Sequence, residues 1–142
     1  MGYLDSLSKS MMDMIATEQG QIFEYAESKG YDMNDFIQKY MNSAFCNREM
    51  DSECSFFHFK PAEVCFPYIE KECNLKKSVS GEYNDVGWTG MMYRYLVYKL
   101  NISSKKLITI LPSKELDNMV YAYELVDTDE AISQIIQKLN LA

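Results

Sequence analysis

The chain has 142 residues, 47% hydrophobic and 25% charged, which suits one globular domain with its own hydrophobic core. It carries 14 Lys and Arg against 21 Asp and Glu, so its formal net charge is −7. Because nucleic-acid affinity depends on Lys and Arg that neutralise phosphates, this balance argues against a nucleic-acid-binding surface. We therefore expect a small, acidic, soluble protein that forms a single domain over residues 1–142.

The acidic charge is concentrated towards the two ends of the sequence. Residues 1–60 have a charge balance of −5 and residues 113–142 a balance of −4, whereas residues 61–112 have a balance of +2. Such a distribution suits either an ordinary solvated surface or a surface that attracts a basic partner.

The sequence shows no targeting segment. Its N-terminus lacks the basic start and apolar stretch of a secretory signal, and no apolar run approaches the roughly 20 residues that span a bilayer. The first six residues, MGYLDS, match the short N-myristoylation pattern, but no polybasic segment accompanies them. We therefore predict a cytoplasmic protein.

Apolar residues recur at helical spacing through most of the chain, which predicts an all-α, compact bundle of six or seven helices. The first helix carries an apolar stripe that begins at Leu4 and ends at Ala26, and Gly20 is a candidate break within it. The second helix is expected to begin with Asp32 or Asn34 as its N-cap.

The middle of the chain contains a polar segment, a helix that starts at a proline, and the most apolar stretch of the sequence. Residues 47–60 are predicted to form a loop or short turns. Pro61 suits the first turn of the next helix, and Pro67 inside that helix predicts a kink or a break. After a polar connector that contains Gly81, residues 85–101 are expected to form the central helix, apolar on nearly all sides.

Arg94 lies inside this apolar helix. A lone buried charge is costly, so we expect its guanidinium either to reach the surface or to pair with a carboxylate.

The last third of the chain is predicted to form short helices. Ser103 or Ser104 can cap one of them, and Pro112 with Ser113 opens another that carries apolar residues as far as Tyr123. The segment DTDE at residues 127–130 has the form of a capping box and precedes a clear amphipathic helix.

Four cysteines, Cys46, Cys54, Cys65 and Cys73, surround the single histidine, His58. Structural zinc sites usually place two thiolates a few residues apart, and no such pair occurs here. Reduced thiols are therefore expected, and no cofactor or metal is predicted. A metal- or thiol-dependent sensor assembled from distant segments remains a weaker alternative.

The motifs of common enzymes are absent from the sequence. It has no Gly-rich phosphate loop and no pair of histidines for a catalytic metal. A Cys–His dyad would have to use His58 with Cys54 or Cys65, and the sequence indicates neither the orienting group nor the cleft that such a dyad needs. We therefore predict that the protein is not an enzyme. A second alternative is a DNA-binding or regulatory protein that uses a helix-turn-helix-like segment at residues 103–126, although acidic residues flank that segment.

Aromatic residues and methionines are abundant, with 11 Tyr and 10 Met. Both residue types are enriched where protein surfaces meet, although tyrosines whose hydroxyls reach water are an equally ordinary explanation. The tyrosines predicted to lie near helix ends or polar faces are Tyr31, Tyr40, Tyr68, Tyr83, Tyr121 and Tyr123.

Several strings resemble a family of small bacterial proteins. The segment DFIQKYMNS at residues 35–43, followed by Asp51-Ser52, resembles one block of that family. The segment GWTGMMYRYL at 87–96 resembles a block that reads roughly G-Y-x-Y-R-Y-W, and SSKKL at 103–107 is similar to the S-S-K-E-I that follows. Residues 121–131 are similar to a final Y-x-x-x-H-T-L-D-x-x-x-A-I. Two positions depart from the family pattern: Leu96 replaces the expected Trp of the second block, and Glu124 replaces the expected His of the final block.

The genes of this family resemble members of toxin–antitoxin-like loci, beside a protein similar to ADP-ribosyltransferases. The resemblance implies an antitoxin or accessory protein that binds and neutralises a partner toxin. We therefore predict a non-enzymatic protein-binding module with an acidic, Tyr- and Met-rich surface, and a homo-oligomer is compatible with this interpretation. The candidate partner-binding residues are Tyr93, Arg94, Ser104, Lys105, Tyr121 and Tyr123.

Overall fold

The structure is a computed structural model that describes residues 7–78 and 83–139. Within these ranges it forms eight α-helices and no β-strand, so the all-α prediction is confirmed. The helices are α1 (Lys9–Ser28), α2 (Met33–Asn42), α3 (Ala62–Glu72), α4 (Val86–Leu100), α5 (Ser104–Ile110), α6 (Ser113–Asp117), α7 (Val120–Tyr123) and α8 (Thr128–Lys138).

The count of eight corrects the six or seven helices predicted from spacing. The single helix expected to begin at Pro112 and Ser113 is divided into α6 and α7. Between them the Met119 N–H bonds to the Leu116 carbonyl at 2.9 Å, a tight turn that ends the first helix. Leu4, Gly81 and the myristoylation-like segment lie outside the described residues.

Gly20 does not break α1, which continues from Lys9 to Ser28, and it lies where α1 packs closely on α4. A Cβ atom at Gly20 would lie 2.7 Å from the backbone oxygen of Gly87 on α4. One turn further along α4, a Cβ atom at Gly90 would lie 2.7 Å from the ring of Phe23. The glycines therefore allow the two longest helices to pack along each other.

The middle of the chain is more helical than predicted. The helix α3 continues through Pro67, although this residue cannot donate the usual backbone hydrogen bond. The segment predicted as loop or short turns contains the end of a π-helix, Phe45–Met50, and a 3-10 helix, Phe56–Phe59. These two short elements connect α2 to α3 and pack against each other.

Side-chain caps fix several helix starts. Asp32 accepts a hydrogen bond from the Asp35 N–H, Ser103 from the Lys106 N–H, and Asp127 from the Glu130 N–H. All three capping residues were candidates from the sequence, and such caps stabilise a helix by about 1 kcal/mol each.

The core lies between α1, α2, α3 and α4. Phe36 stacks between Tyr40 and Phe66 with ring centroids 5.5 and 5.8 Å away, and Phe23 meets Phe36 edge-on at 5.5 Å. Tyr40 is fully buried here, so it does not belong to the surface patch suggested for it. None of the described helices has the length and hydropathy needed to cross a bilayer.

Candidate functional site

A buried ion pair links the central helix to the end of the π-helix. Arg94 on α4 has no solvent-exposed surface, and its Nη1 donates to Oδ1 of Asp51 at 2.6 Å. Of the two expectations for Arg94, pairing with a carboxylate is therefore confirmed and extension to the surface is wrong. A charged pair at this depth persists only when further hydrogen bonds satisfy the remaining polar atoms.

Gln19 on α1 supplies one of these further hydrogen bonds. Its side-chain oxygen accepts from Arg94 Nη2 at 2.6 Å and from the Tyr40 hydroxyl at 2.8 Å. Its amide nitrogen donates to the Gly90 carbonyl at 2.8 Å. The Gln19 side chain thus connects α1 to α2 through Tyr40 and to α4 through Arg94 and Gly90.

Ser104 at the start of α5 donates hydrogen bonds to both oxygens of the Asp51 carboxylate. The Ser104 backbone N–H donates to Asp51 Oδ2 at 2.8 Å, and the Ser104 hydroxyl donates to Oδ1 at 2.5 Å. Arg94 Nη2 also donates to Cys46 Sγ at 3.4 Å, and the Arg94 guanidinium lies over the Tyr98 ring. We call Gln19, Cys46, Asp51, Arg94 and Ser104 the arginine network.

The arginine network is a closed structural unit. Burial raises the pKa of the Cys46 thiol to about 12, so the sulfur stays protonated and is a poor nucleophile. Burial likewise raises the pKa of Tyr98 to about 12, while its hydroxyl donates to the Met50 carbonyl at 2.8 Å. With its polar atoms paired and no exposed surface on Arg94, the network joins four elements of the fold, α1, the π-helix, α4 and α5, and offers no ligand a place.

The predicted partner-binding residues separate into two groups. Tyr93, Arg94, Ser104 and Tyr123 are buried; the Tyr93 hydroxyl, for example, donates to the Leu111 carbonyl at 2.6 Å. Their side chains therefore pack in the core of the chain. Lys105 is exposed at the first turn of α5, and Tyr121 on α7 is 71% exposed.

The four cysteines do not come together. Cys46 belongs to the arginine network, Cys65 contacts Glu18, and Cys73 lies near the Lys39 carbonyl, while Cys54 is exposed. Across the described ranges, no group of three or more His, Cys, Asp and Glu side chains is arranged to hold a metal ion. The structure therefore adds no support to the sensor alternative.

The helix-turn-helix-like segment is used for packing. The helix α6, which would be the recognition helix of a helix-turn-helix, has only five residues. Asp117 at its end is buried and accepts from the Asn84 N–H at 2.6 Å, the Asp85 N–H at 2.9 Å and the Thr89 hydroxyl at 3.0 Å. This carboxylate fixes the segment that leads into α4.

Exposed apolar side chains lie on and near the 3-10 helix, and the sequence did not predict that they form one surface. Five of the seven large apolar side chains that are exposed in the described ranges lie here, and Phe56 is 64% exposed. Phe57 connects Phe56 to Tyr68, with ring centroids 5.3 and 4.9 Å away. We call the five exposed side chains the aromatic surface: Met14, Phe56, Phe59, Val64 and Tyr68.

A groove of about 670 Å³ lies at one edge of the aromatic surface, between α1 and the segment that joins the 3-10 helix to α3. Met14, Phe59 and Pro61 give it apolar walls, and Asp13 and Glu18 supply carboxylates. Glu18 is only 8% exposed, and its Oε2 accepts from the Cys65 thiol at 3.6 Å. Among the described residues, no Lys or Arg lies within ion-pair distance of Glu18.

Glu18 makes the stability of the fold depend on pH. Burial and the nearby Glu63 raise the pKa of Glu18 to about 7, and the Cys65 hydrogen bond only partly opposes this. The folded state therefore holds this proton more tightly than the unfolded state, whose pKa is about 4.5. As pH rises from about 4.5 to about 7, ionisation of Glu18 favours unfolding.

We expect Glu18→Gln to leave stability unchanged near pH 4.5 and to raise it by about 1 kcal/mol near pH 8. Urea unfolding of both proteins at the two pH values measures this difference. Glu124→Gln removes an exposed carboxylate and is the matched control, with no expected gain at either pH. An equal effect of Glu18→Gln at both pH values would contradict the proposed ionisation.

No family model, curated protein or solved structure matches this chain. The resemblance drawn from the short sequence blocks therefore stays a prediction.

Proposed function

We propose that this chain is a non-enzymatic, cytoplasmic protein-binding module that acts as an antitoxin or accessory protein. The aromatic surface is the observation that carries the proposal. Phe56 and Tyr68 expose large rings on either side of Phe57, Phe59 is exposed in the same 3-10 helix, and such rings are enriched at the centres of protein interfaces. Exposed rings clustered around one short helix of a small acidic protein are best explained by a partner that covers them.

The charge of the chain supports the same role. A net charge of −7, with the acidic residues weighted to the two ends, attracts a basic partner surface and raises the rate of encounter. The family resemblance implies that this partner is a toxin similar to ADP-ribosyltransferases. An acidic surface suits the inhibition of an enzyme whose cleft binds an anionic substrate.

The described chemistry gives little support to a catalytic role. His58, the only histidine, is 1% exposed, and its Nε2 lies 3.2 Å from the Met50 carbonyl. Burial lowers the pKa of His58, so the ring is neutral, and burial raises the pKa of the Cys65 thiol to about 12. Neither group is prepared to act as an acid, base or nucleophile at an accessible surface.

Co-expression with the products of neighbouring genes tests the proposal. We expect a stable complex that relieves the toxicity of a neighbour, and we expect the double variant Phe56→Ser/Tyr68→Ser to bind at least about tenfold more weakly. Tyr121→Ser tests the predicted partner-binding residue on α7, and Leu125→Ser is the matched control, because it removes an exposed apolar side chain that belongs to neither group.

The absence of a complex and of rescue would overturn the antitoxin proposal. Loss of binding in Tyr121→Ser alone would move the interface from the aromatic surface to α7. Thermal unfolding of each variant, monitored by circular dichroism, separates loss of contact from loss of fold.

A further inference from the structure

The groove beside the aromatic surface contains a carboxylate that lacks a counter-charge. Glu18 is more than nine-tenths buried, and the thiol of Cys65 is its only hydrogen-bond partner among the described residues. A thiol is a weak donor, so this bond replaces little of the hydration that an ionised carboxylate loses. A cation that enters the groove would supply the missing interaction.

The surrounding charges favour such a cation. Asp13 also lines the groove, where Lys9 Nζ lies 3.6 Å from its Oδ1, and Glu63 at the start of α3 lies near enough to raise the pKa of Glu18. Lys60 is the only Lys or Arg in the described lining. The three carboxylates therefore outnumber the two ammonium groups around the groove.

His58 adds an unpaired acceptor to the same wall. Its Nε2 faces a carbonyl oxygen, which only accepts, so Nε2 carries the proton of the neutral ring. Nδ1 is then an acceptor, and it is the one buried side-chain polar atom of the described residues without a hydrogen-bond partner. This ring therefore brings no donor to the groove, and the carboxylate of Glu18 remains the acceptor that a cation would meet.

The apolar part of the groove indicates that the cation belongs to a larger ligand. Met14 on α1 and Phe59 on the 3-10 helix line the groove and are exposed, and Pro61 also lines it, without a backbone N–H donor. An amphipathic helix presents apolar side chains and a cation from one face at a spacing of three or four residues.

From this arrangement we infer that the groove binds a basic amphipathic helix of a partner protein, with a Lys or Arg side chain paired to Glu18. The apolar residues of that helix pack against Met14, Phe59 and Pro61. This inference rests on the proposed function and names the chemistry of the partner segment.

Titration with designed peptides at about pH 8 tests the inference. The probe is an amphipathic peptide of Leu and Lys, and the comparison peptide has Glu in place of each Lys. We expect the Leu/Lys peptide to perturb amide resonances of α1 and of residues 58–61, and the Leu/Glu peptide to leave them unchanged. Glu18→Gln should weaken binding of the Leu/Lys peptide about tenfold, because a charged hydrogen bond is lost.

Glu124→Gln, which changes the net charge equally, should bind the Leu/Lys peptide as the unmodified chain does. Equal affinity in Glu18→Gln, binding of both peptides, or perturbation confined to other helices would each overturn the inference. If a co-expressed partner is captured through Phe56 and Tyr68 while Glu18→Gln changes neither assay, the groove inference fails and the proposed function stands.

Discussion

Replacement of Asp51 by Ala is expected to lower the free energy of unfolding by about 3–5 kcal/mol, the largest effect of any change considered. The variant removes the carboxylate that pairs with Arg94 and leaves a guanidinium with no exposed surface without its counter-charge. It also removes the acceptor for the Ser104 backbone N–H at the start of α5. Urea unfolding monitored by circular dichroism measures the loss.

Asp129→Ala is the matched control for the Asp51 variant. Asp129 also faces a cation, Lys9, but the atoms are 3.6 Å apart and both side chains are more than half exposed. Water already solvates such a pair, so its loss should cost less than about 1 kcal/mol. A similar small loss in Asp51→Ala would show that the interior around Arg94 admits water.

A double-mutant cycle separates the pair from its surroundings. Asp51→Leu/Arg94→Met removes both charges and replaces them with apolar side chains. Because no uncompensated charge remains, this double variant should be more stable than the sum of the single losses predicts. Strict additivity would contradict a direct interaction between the two side chains.

The sequence predicts that Arg94 either reaches the surface or pairs with a carboxylate, and it does not indicate which carboxylate. Asp51 lies 43 residues away, at the end of a π-helix that no spacing rule indicated. The short blocks that resemble a bacterial family contain Tyr40, Asp51, Arg94 and Ser104, and all four meet at the arginine network. A motif of polar and aromatic residues does not distinguish a buried network from a binding surface, which is why the sequence predicts Arg94 and Ser104 as partner-binding residues.

The aromatic surface was missed for a different reason. The segment at residues 47–60, which is predicted to form a loop or short turns, contains Phe56, Phe57 and Phe59 within four positions. Three rings ahead of Pro61 were a usable signal, because a short loop cannot bury all of them. Glu18 and Cys65 gave no such signal, since only the packing of α3 on α1 brings them together.

Helix boundaries were more predictable than helix contacts. Caps act within one turn, so Asp32, Ser103 and Asp127 could be identified locally. Gly20 was ambiguous, because a glycine inside a helix weakens it alone but permits close approach once a partner helix is present.

Gly20→Ala is therefore expected to destabilise the fold by about 2 kcal/mol, although alanine is the better helix former by about 1 kcal/mol. The new Cβ would lie 2.7 Å from the Gly87 backbone oxygen, which cannot rotate away as a side chain can. The helices α1 and α4 would have to separate, and this would disturb the Gln19 contacts next to Gly20.

Gly87→Ala provides the matched control on the opposite helix. Its Cβ would meet the Glu24 carboxylate at 2.7 Å, the far end of a flexible side chain that can turn aside. We expect this variant to change the free energy of unfolding by less than about 0.5 kcal/mol. Urea midpoints of the two alanine variants measure the contrast. Equal stability of both would show that α1 and α4 can separate at little cost, and the role assigned to Gly20 would then be wrong.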